Sequence, residues 1–135
     1  MLLSDFRVQQ QGFYTTTAEA LLTMLTQRQL MLGQSAILDT LANTVQERRR
    51  WQHLARSHSA GFYGIETICS DPVLHRQRVE ERKRGIPGWH DTVSWSHVEQ
   101  MRSVREVWTA DEGEHLTIDA VHLLNENVQT ILKYV

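Results

Sequence analysis

One stretch near the middle of the chain narrows its folding options more than any other: Ile65-Glu66-Thr67-Ile68-Cys69-Ser70-Asp71-Pro72-Val73-Leu74-His75-Arg76-Gln77-Arg78-Val79-Glu80-Glu81-Arg82. The run Phe62 to Cys69 is rich in β-branched and aromatic residues and reads as a strand. Asp71 is placed to cap a helix. Pro72 suits its first turn, where the missing N–H costs nothing. The helix that follows is crowded with arginines until Gly85, Pro87 and Gly88 break it.

Other segments repeat the alternation. Thr17 to Leu32 carries Leu21, Leu22, Met24, Leu25, Leu30 and Leu32 at spacings of three and four, which predicts a helix, with Gly33 as its C-cap. Ser35-Ala36-Ile37-Leu38-Asp39 reads as a short buried strand that stops on an acid. Asn43 or Thr44 then caps a helix from about Val45 to His58. Arg48, Arg49 and Arg50 sweep around that helix and cannot share one face. A further helix is expected near Ser96 to Trp108, a turn at Asp111-Glu112-Gly113, and an apolar strand at His115 to Asp119. Val121 to Tyr134 reads as an amphipathic closing helix. Met1-Leu2-Leu3 is a candidate strand stub. Strands alternating with helices predict a three-layer α/β fold with a mainly parallel sheet, its strands near Ala36–Asp39, Gly64–Cys69 and Leu116–Asp119. No linker or repeat divides the chain, so one domain over residues 1–135 is expected.

Composition sets outer limits. A net charge of -2 offers no global attraction to nucleic acid or anionic membrane. The single cysteine, Cys69, excludes an internal disulfide framework and fits a reducing compartment. No apolar run approaches the ~20 residues a bilayer needs, and the N-terminus lacks a signal-peptide pattern. A cytoplasmic location is the expectation.

Several residues invite a chemical reading, each beside a plainer one. Asp39 ends an apolar strand, at the edge where open α/β sheets bind ligands; a carboxylate there can hold Mg²⁺ through water or orient a nucleophile. It can equally be a helix cap or turn acid. Arg76, Arg78, Arg82 and Arg84 can stabilise phosphate oxygens bidentately. Glu80 and Glu81 in the same helix offer the alternative of solvated salt bridges. Asp5 can act as a general base toward a hydroxyl and Arg7 can hold a substrate phosphate. A capping acid and a surface arginine explain that pair as well. The seven histidines form no His-x-x-x-His pattern that would mark a metal site. Cys69 reads as core packing, and Trp89 and Trp95 as a clamp for the loop between them.

In chain order these pieces resemble the small P-loop kinases of the AAA-type, zeta-toxin-like and polynucleotide-kinase-like group. The matching stretches are Leu3-Ser4-Asp5-Phe6-Arg7, Leu32 to Asp39, Glu66 to Asp71 with His75 to Arg82, Ile86-Pro87-Gly88 followed by Trp95, Leu116 to Asp119, and Glu126-Asn127-Val128. The most specific is the Cys-Ser-Asp strand end with its arginine helix and Pro-Gly. The resemblance implies an ATP- and Mg²⁺-dependent phosphotransferase with a hydroxyl-bearing acceptor. Asp5 would be the substrate-side base and Arg7 its following arginine, although the family more often spaces them Asp-x-x-Arg. Asp39 would be the strand-end acid near Mg²⁺. Arg76, Arg78 and Arg82 would reach the nucleotide phosphates from a lid spanning 72–108.

One departure is large. No Gly-x-x-x-x-Gly-Lys-Ser/Thr phosphate loop occurs in the sequence. The resemblance therefore implies a form that starts after that loop and its strand. In the family's sheet the absent strand is central. Either the strands at Ser35–Asp39 and Phe62–Cys69 pair directly, or a second copy or other chain fills the gap, or this is one piece of a longer protein. The competing expectation is a non-catalytic, partner-binding or dimerising relative of the kinase fold.

Overall fold

The computed structural model describes residues 3–83, 85 and 93–135, with side chains from Thr16 onward. Its elements run α1 (Leu3–Met31), α2 (Val45–Ser57), β1 (Gly64–Ile68), α3 (Pro72–Glu80), α4 (Trp95–Val104), β2 (His115–Asp119) and α5 (Leu124–Tyr134), with a 3-10 turn at Ala110–Glu112. The described residues are thus mixed α/β, with five helices and a two-stranded sheet among them. β1 and β2 are parallel, from Gly64 beside His115 to Ile68 beside Asp119. A parallel pair needs a long crossover, and α3 and α4 lie within it. No helix among the described residues is long and apolar enough to cross a membrane.

The third strand expected at Ser35–Asp39 does not form. That segment is coil, and Ile37 is 99% exposed. A strand of a parallel sheet must find a neighbour and bury both faces, and an apolar run supplies neither by itself. The strand stub at the N-terminus is also replaced. Leu3 already belongs to α1, while Met1 and Leu2 lie outside the described residues.

The chain divides into two compact units. One holds the residues up to Leu41 with Arg50–Gly61; the other holds Ala42–Arg49 with Phe62–Val135. In the first, Arg50 reaches Glu19 of α1 at 2.9 Å, and Trp51, Ala55 and Thr26 are buried. Both helices there stop in the same way. Gln34 N–H donates to Gln29 O and Gly33 N–H to Leu30 O, each at 3.0 Å, with Gly33 at φ 70°. Ala60 N–H donates to Ala55 O at 3.0 Å and Ser59 N–H to Arg56 O at 3.1 Å, with Ser59 at φ 55°. These are paired Schellman closures, one on the residue suited to left-handed backbone and one on a residue strained by it.

The second unit is organised around an arginine. Thr44 caps α2 reciprocally with Glu47, through Glu47 N–H to Thr44 Oγ1 at 3.2 Å and Thr44 N–H to Glu47 Oε2 at 2.9 Å. One turn on, Arg48 is buried. Its Nε donates to Glu112 Oε1 at 2.6 Å and its Nη2 to Glu112 Oε2 at 3.1 Å. Nη1 reaches the carbonyls of Ala42, Asn43 and Glu106, and Nη2 also reaches that of Val107. Glu112 Oε2 accepts in addition from the N–H and hydroxyl of Thr109, at 2.9 and 2.8 Å. The guanidinium lies 4.7 Å over the ring of Trp108, whose other neighbour is His115, stacked with centroids 4.4 Å apart. Trp108 also rests on Gly64, where a Cβ would meet its Cη2 at 2.6 Å; only glycine admits the indole there.

Two expectations follow from these packings. Ser59→Gly should raise stability by about 1 kcal/mol and Gly33→Ala should lower it by a similar amount, read from urea midpoints. The hydrogen bond from Arg48 holds the Glu112 carboxyl at about 2 rather than its usual 4.5. As pH falls the unfolded chain takes up this proton first. The stabilisation is therefore complete above pH 4.5 and is lost as pH falls through about 2. Arg48→Met should cost about 3–5 kcal/mol by stranding a buried carboxylate. A melting series from pH 7 to pH 2 on wild type and Glu112→Gln checks the first point, since the variant should lose most of the acid-dependent fall.

Candidate functional site at the carboxyl edge of the sheet

The two strands end side by side at Ile68 and Asp119, and the polypeptide leaves each through a tight turn. After β1, Asp71 sits in extended geometry and caps α3, its Oδ1 accepting from Val73 N–H at 2.9 Å and Leu74 N–H at 3.0 Å. Pro72 occupies the first helical position, where no N–H is needed. After β2, the turn folds back so that Asp119 Oδ1 accepts from Ser70 N–H and Val121 N–H, both at 3.1 Å. The Ser70 hydroxyl, with these two amides, holds the Asp119 carboxyl below the usual range. Asn127 of α5 donates to Asp119 O at 2.9 Å, and Ala120 N–H donates to Ile68 O at 2.8 Å. The two strand ends are thus laced into one polar edge.

α3 rises from that edge with its guanidinium groups outward. Arg78 is exposed and its Nη1 donates to Ala120 O at 2.7 Å, across the end of β2. Arg76 is exposed and paired with Glu80 one turn on, at 2.8 Å. Arg82 lies beyond the end of the helix, exposed; among the described residues no hydrogen bond or ion pair engages it. Arg84 is outside the described residues. Along α3 runs an open groove of about 360 Å³ lined by Val73, Arg76, Gln77, Glu80 and Trp95. His75 meets Trp95 edge-on at 5.3 Å, which ties α3 to the start of α4. Trp89 and His90 lie outside the described residues.

The residues singled out from sequence are therefore distributed unequally. Arg76, Arg78 and Arg82 cluster on and just after α3. Asp39 is an exposed coil residue of the other unit, not a strand-end acid, because the strand that would have placed it is absent. Asp5 and Arg7 fall on α1 rather than after a strand, and their side chains lie outside the description. Among the described residues no three acidic, histidine or cysteine side chains gather to hold a metal ion. Cys69 is half-buried, with its thiol toward Asp71 O at 3.4 Å.

Asp119 and Ser70 are the residues that sequence reasoning passed over as site members. The signal was present, in a second apolar strand ending on an acid, but its partner became evident only with the strand register. No family model, no curated protein and no solved structure matches the chain.

The cap at the base of α3 can be tested directly. Asp71→Ala should lower stability by about 1 kcal/mol, and Asp71→Ser should retain most of it, because serine still accepts from the first-turn amides. Denaturant midpoints of the two variants against wild type measure the difference.

Proposed function

We propose that this chain contributes the phosphate-facing arm of an ATP-dependent phosphotransferase of the P-loop kinase type, acting on a hydroxyl-bearing acceptor. The observation that carries the reading is the position of the arginine helix. It springs from the carboxyl end of β1, and Arg78 lies across the carboxyl end of β2. Open α/β sheets bind ligands at that end. Phosphoryl transfer spreads negative charge over phosphate oxygens, which exposed guanidinium groups stabilise.

On this reading Arg76, Arg78 and Arg82 bind the nucleotide phosphates, Arg78 exchanging its carbonyl partner for a phosphate oxygen. The Mg²⁺ that such a transfer uses would be carried by the nucleotide phosphates and water. The reading also requires a phosphate cradle, and the sequence holds no Gly-x-x-x-x-Gly-Lys-Ser/Thr loop to form one. On this reading the cradle would be supplied by other polypeptide, which would also complete a three-layer α/β fold around a fuller sheet. The lone cysteine keeps the cytoplasm as the expected setting.

A second reading, a non-catalytic partner-binding relative of the fold, draws on a different observation. Among the described residues nothing pairs with the outer edges of the two parallel strands, and Leu41, Val107, Leu124 and Leu132 are among many exposed apolar side chains.

Titration calorimetry with Mg-ATP and with inorganic tripolyphosphate distinguishes the two. The phosphotransferase reading predicts weak, salt-sensitive binding of both by the 135-residue chain, reduced at least several-fold in Arg78→Ala and Arg82→Ala, with no enzymatic release of γ-phosphate. Binding that is absent, or indifferent to both arginines, would remove the arm's assigned role and leave the second reading.

A further inference from the structure

β1 has one edge paired and one edge open. In a parallel ladder alternate residues of a strand turn their N–H and C=O toward the neighbour. Ile68 O accepts from Ala120 N–H, and Ile68 stands beside Asp119, so Gly64, Glu66 and Ile68 face β2. Ile65 and Thr67 therefore turn their backbone groups outward, two N–H and two C=O in all. Among the described residues no hydrogen bond reaches any of these groups. The outer edge of β2 differs, since Asp119 O there accepts from Asn127 Nδ2 at 2.9 Å and from His122 N–H at 3.2 Å. Open strand edges are ordinarily defended by lysine, proline or a bulge. β1 has none of these, and its one charged residue, Glu66, is taken up by Arg105. Tyr63, Ile65 and Thr67 are exposed along it.

The same chain holds a segment with the matching need. Ser35-Ala36-Ile37-Leu38-Asp39 has the short apolar run of a buried strand, yet it is coil. From Ser35 to Leu41 no backbone N–H or C=O enters a hydrogen bond among the described residues. Ile37 is 99% exposed and Leu41 72%. The edge calls for an extended stretch with free donors, free acceptors and apolar side chains. This segment offers all three, and its five residues match the five of β1.

We propose that the outer edge of β1 receives Ser35–Asp39 of a second copy, so that two chains exchange this segment and each sheet gains a third strand. Exchange is a low-cost route to a dimer, because each copy supplies both an edge and a strand. Backbone hydrogen bonds give such an added strand its affinity, and its side chains, Ile37 and Leu38 here, give it specificity. The exchange does not use the α3 arginines, so it holds under either reading of the function.

Sedimentation equilibrium of the full chain, with amide hydrogen exchange read residue by residue, tests it. Wild type should pass from monomer to dimer between roughly micromolar and millimolar concentration, the range of a weak interface. Over the same range exchange at Ile65 and Thr67 should slow by about tenfold or more, because an interchain bond must first open. Thr67→Pro removes only an outward N–H, and Ile37→Pro changes only an exposed coil residue. Each variant alone should stay monomeric, with the circular dichroism of wild type. Mixed, they should form a heterodimer, because the intact segment of the first fits the intact edge of the second. Where Thr67→Pro does not fold, Ile65→Lys takes its place, charging the same edge without touching the backbone. A dimer indifferent to Ile37→Pro would mean that some other surface pairs, and would overturn the proposal. So would a wild type that stays monomeric, slowed exchange with no change in mass, or a mixture no heavier than its parts.

Discussion

The buried pairing of Arg48 with Glu112 is the contact on which the larger unit depends. Removing two charges from water costs several kcal/mol each, and the fold tolerates it only because almost nothing is left unmatched. All three guanidinium nitrogens donate, to one carboxylate and four carbonyls, and the carboxylate takes further donors from Thr109. A lysine could not replace this fork, since it lacks the planar fan of donors. The consequences pass outward by contact. Arg48 seats Trp108, Trp108 covers Gly64 and stacks on His115, and those two residues form the first rung of the sheet.

Two different kinds of contact thereby fall at opposite ends of the same pair of strands. The amino-terminal rung, Gly64 with His115, is held by the aromatic and ionic stack. The carboxyl-terminal rung, Ile68 with Asp119, opens into capped turns, an exposed arginine and a carboxylate kept ionised by amide and hydroxyl donors. Glu66 marks the middle. It is paired with Arg105 and lies 3.9 Å from His115, so even the central rung is fastened from outside the ladder.

What the sequence disclosed follows the range over which each signal acts. The Asp71-Pro72 cap, the Gly33 stop, the helix from Val45 and both strands of the sheet were readable because neighbouring residues decide them. Ser35–Asp39 has the same apolar character as β1, yet it stays coil, because a strand is completed by a partner that no local pattern can name. Arg48 was invisible for a related reason. Three successive arginines look alike in a sequence, and only tertiary placement makes Arg48 buried, sends Arg49 to Asp111 and sends Arg50 to Glu19. Of the candidate site, the arginine helix was legible and its counterpart, Asp119 with Ser70, was not, since the register that joins them bridges distant segments.

The distances along the chain carry one more implication, for synthesis. Arg48 and Glu112 are 64 residues apart. At a translation rate of roughly 5–20 residues per second, the arginine precedes its carboxylate by something like 3 to 13 seconds. Within that interval β1 and then the α3 arginines are made, and they stand without the neighbouring strand, which follows only after Trp108 and Glu112. A nascent chain of this design is therefore most exposed to mispairing and to chaperones just before its last two elements appear, and the whole larger unit is expected to close late and together.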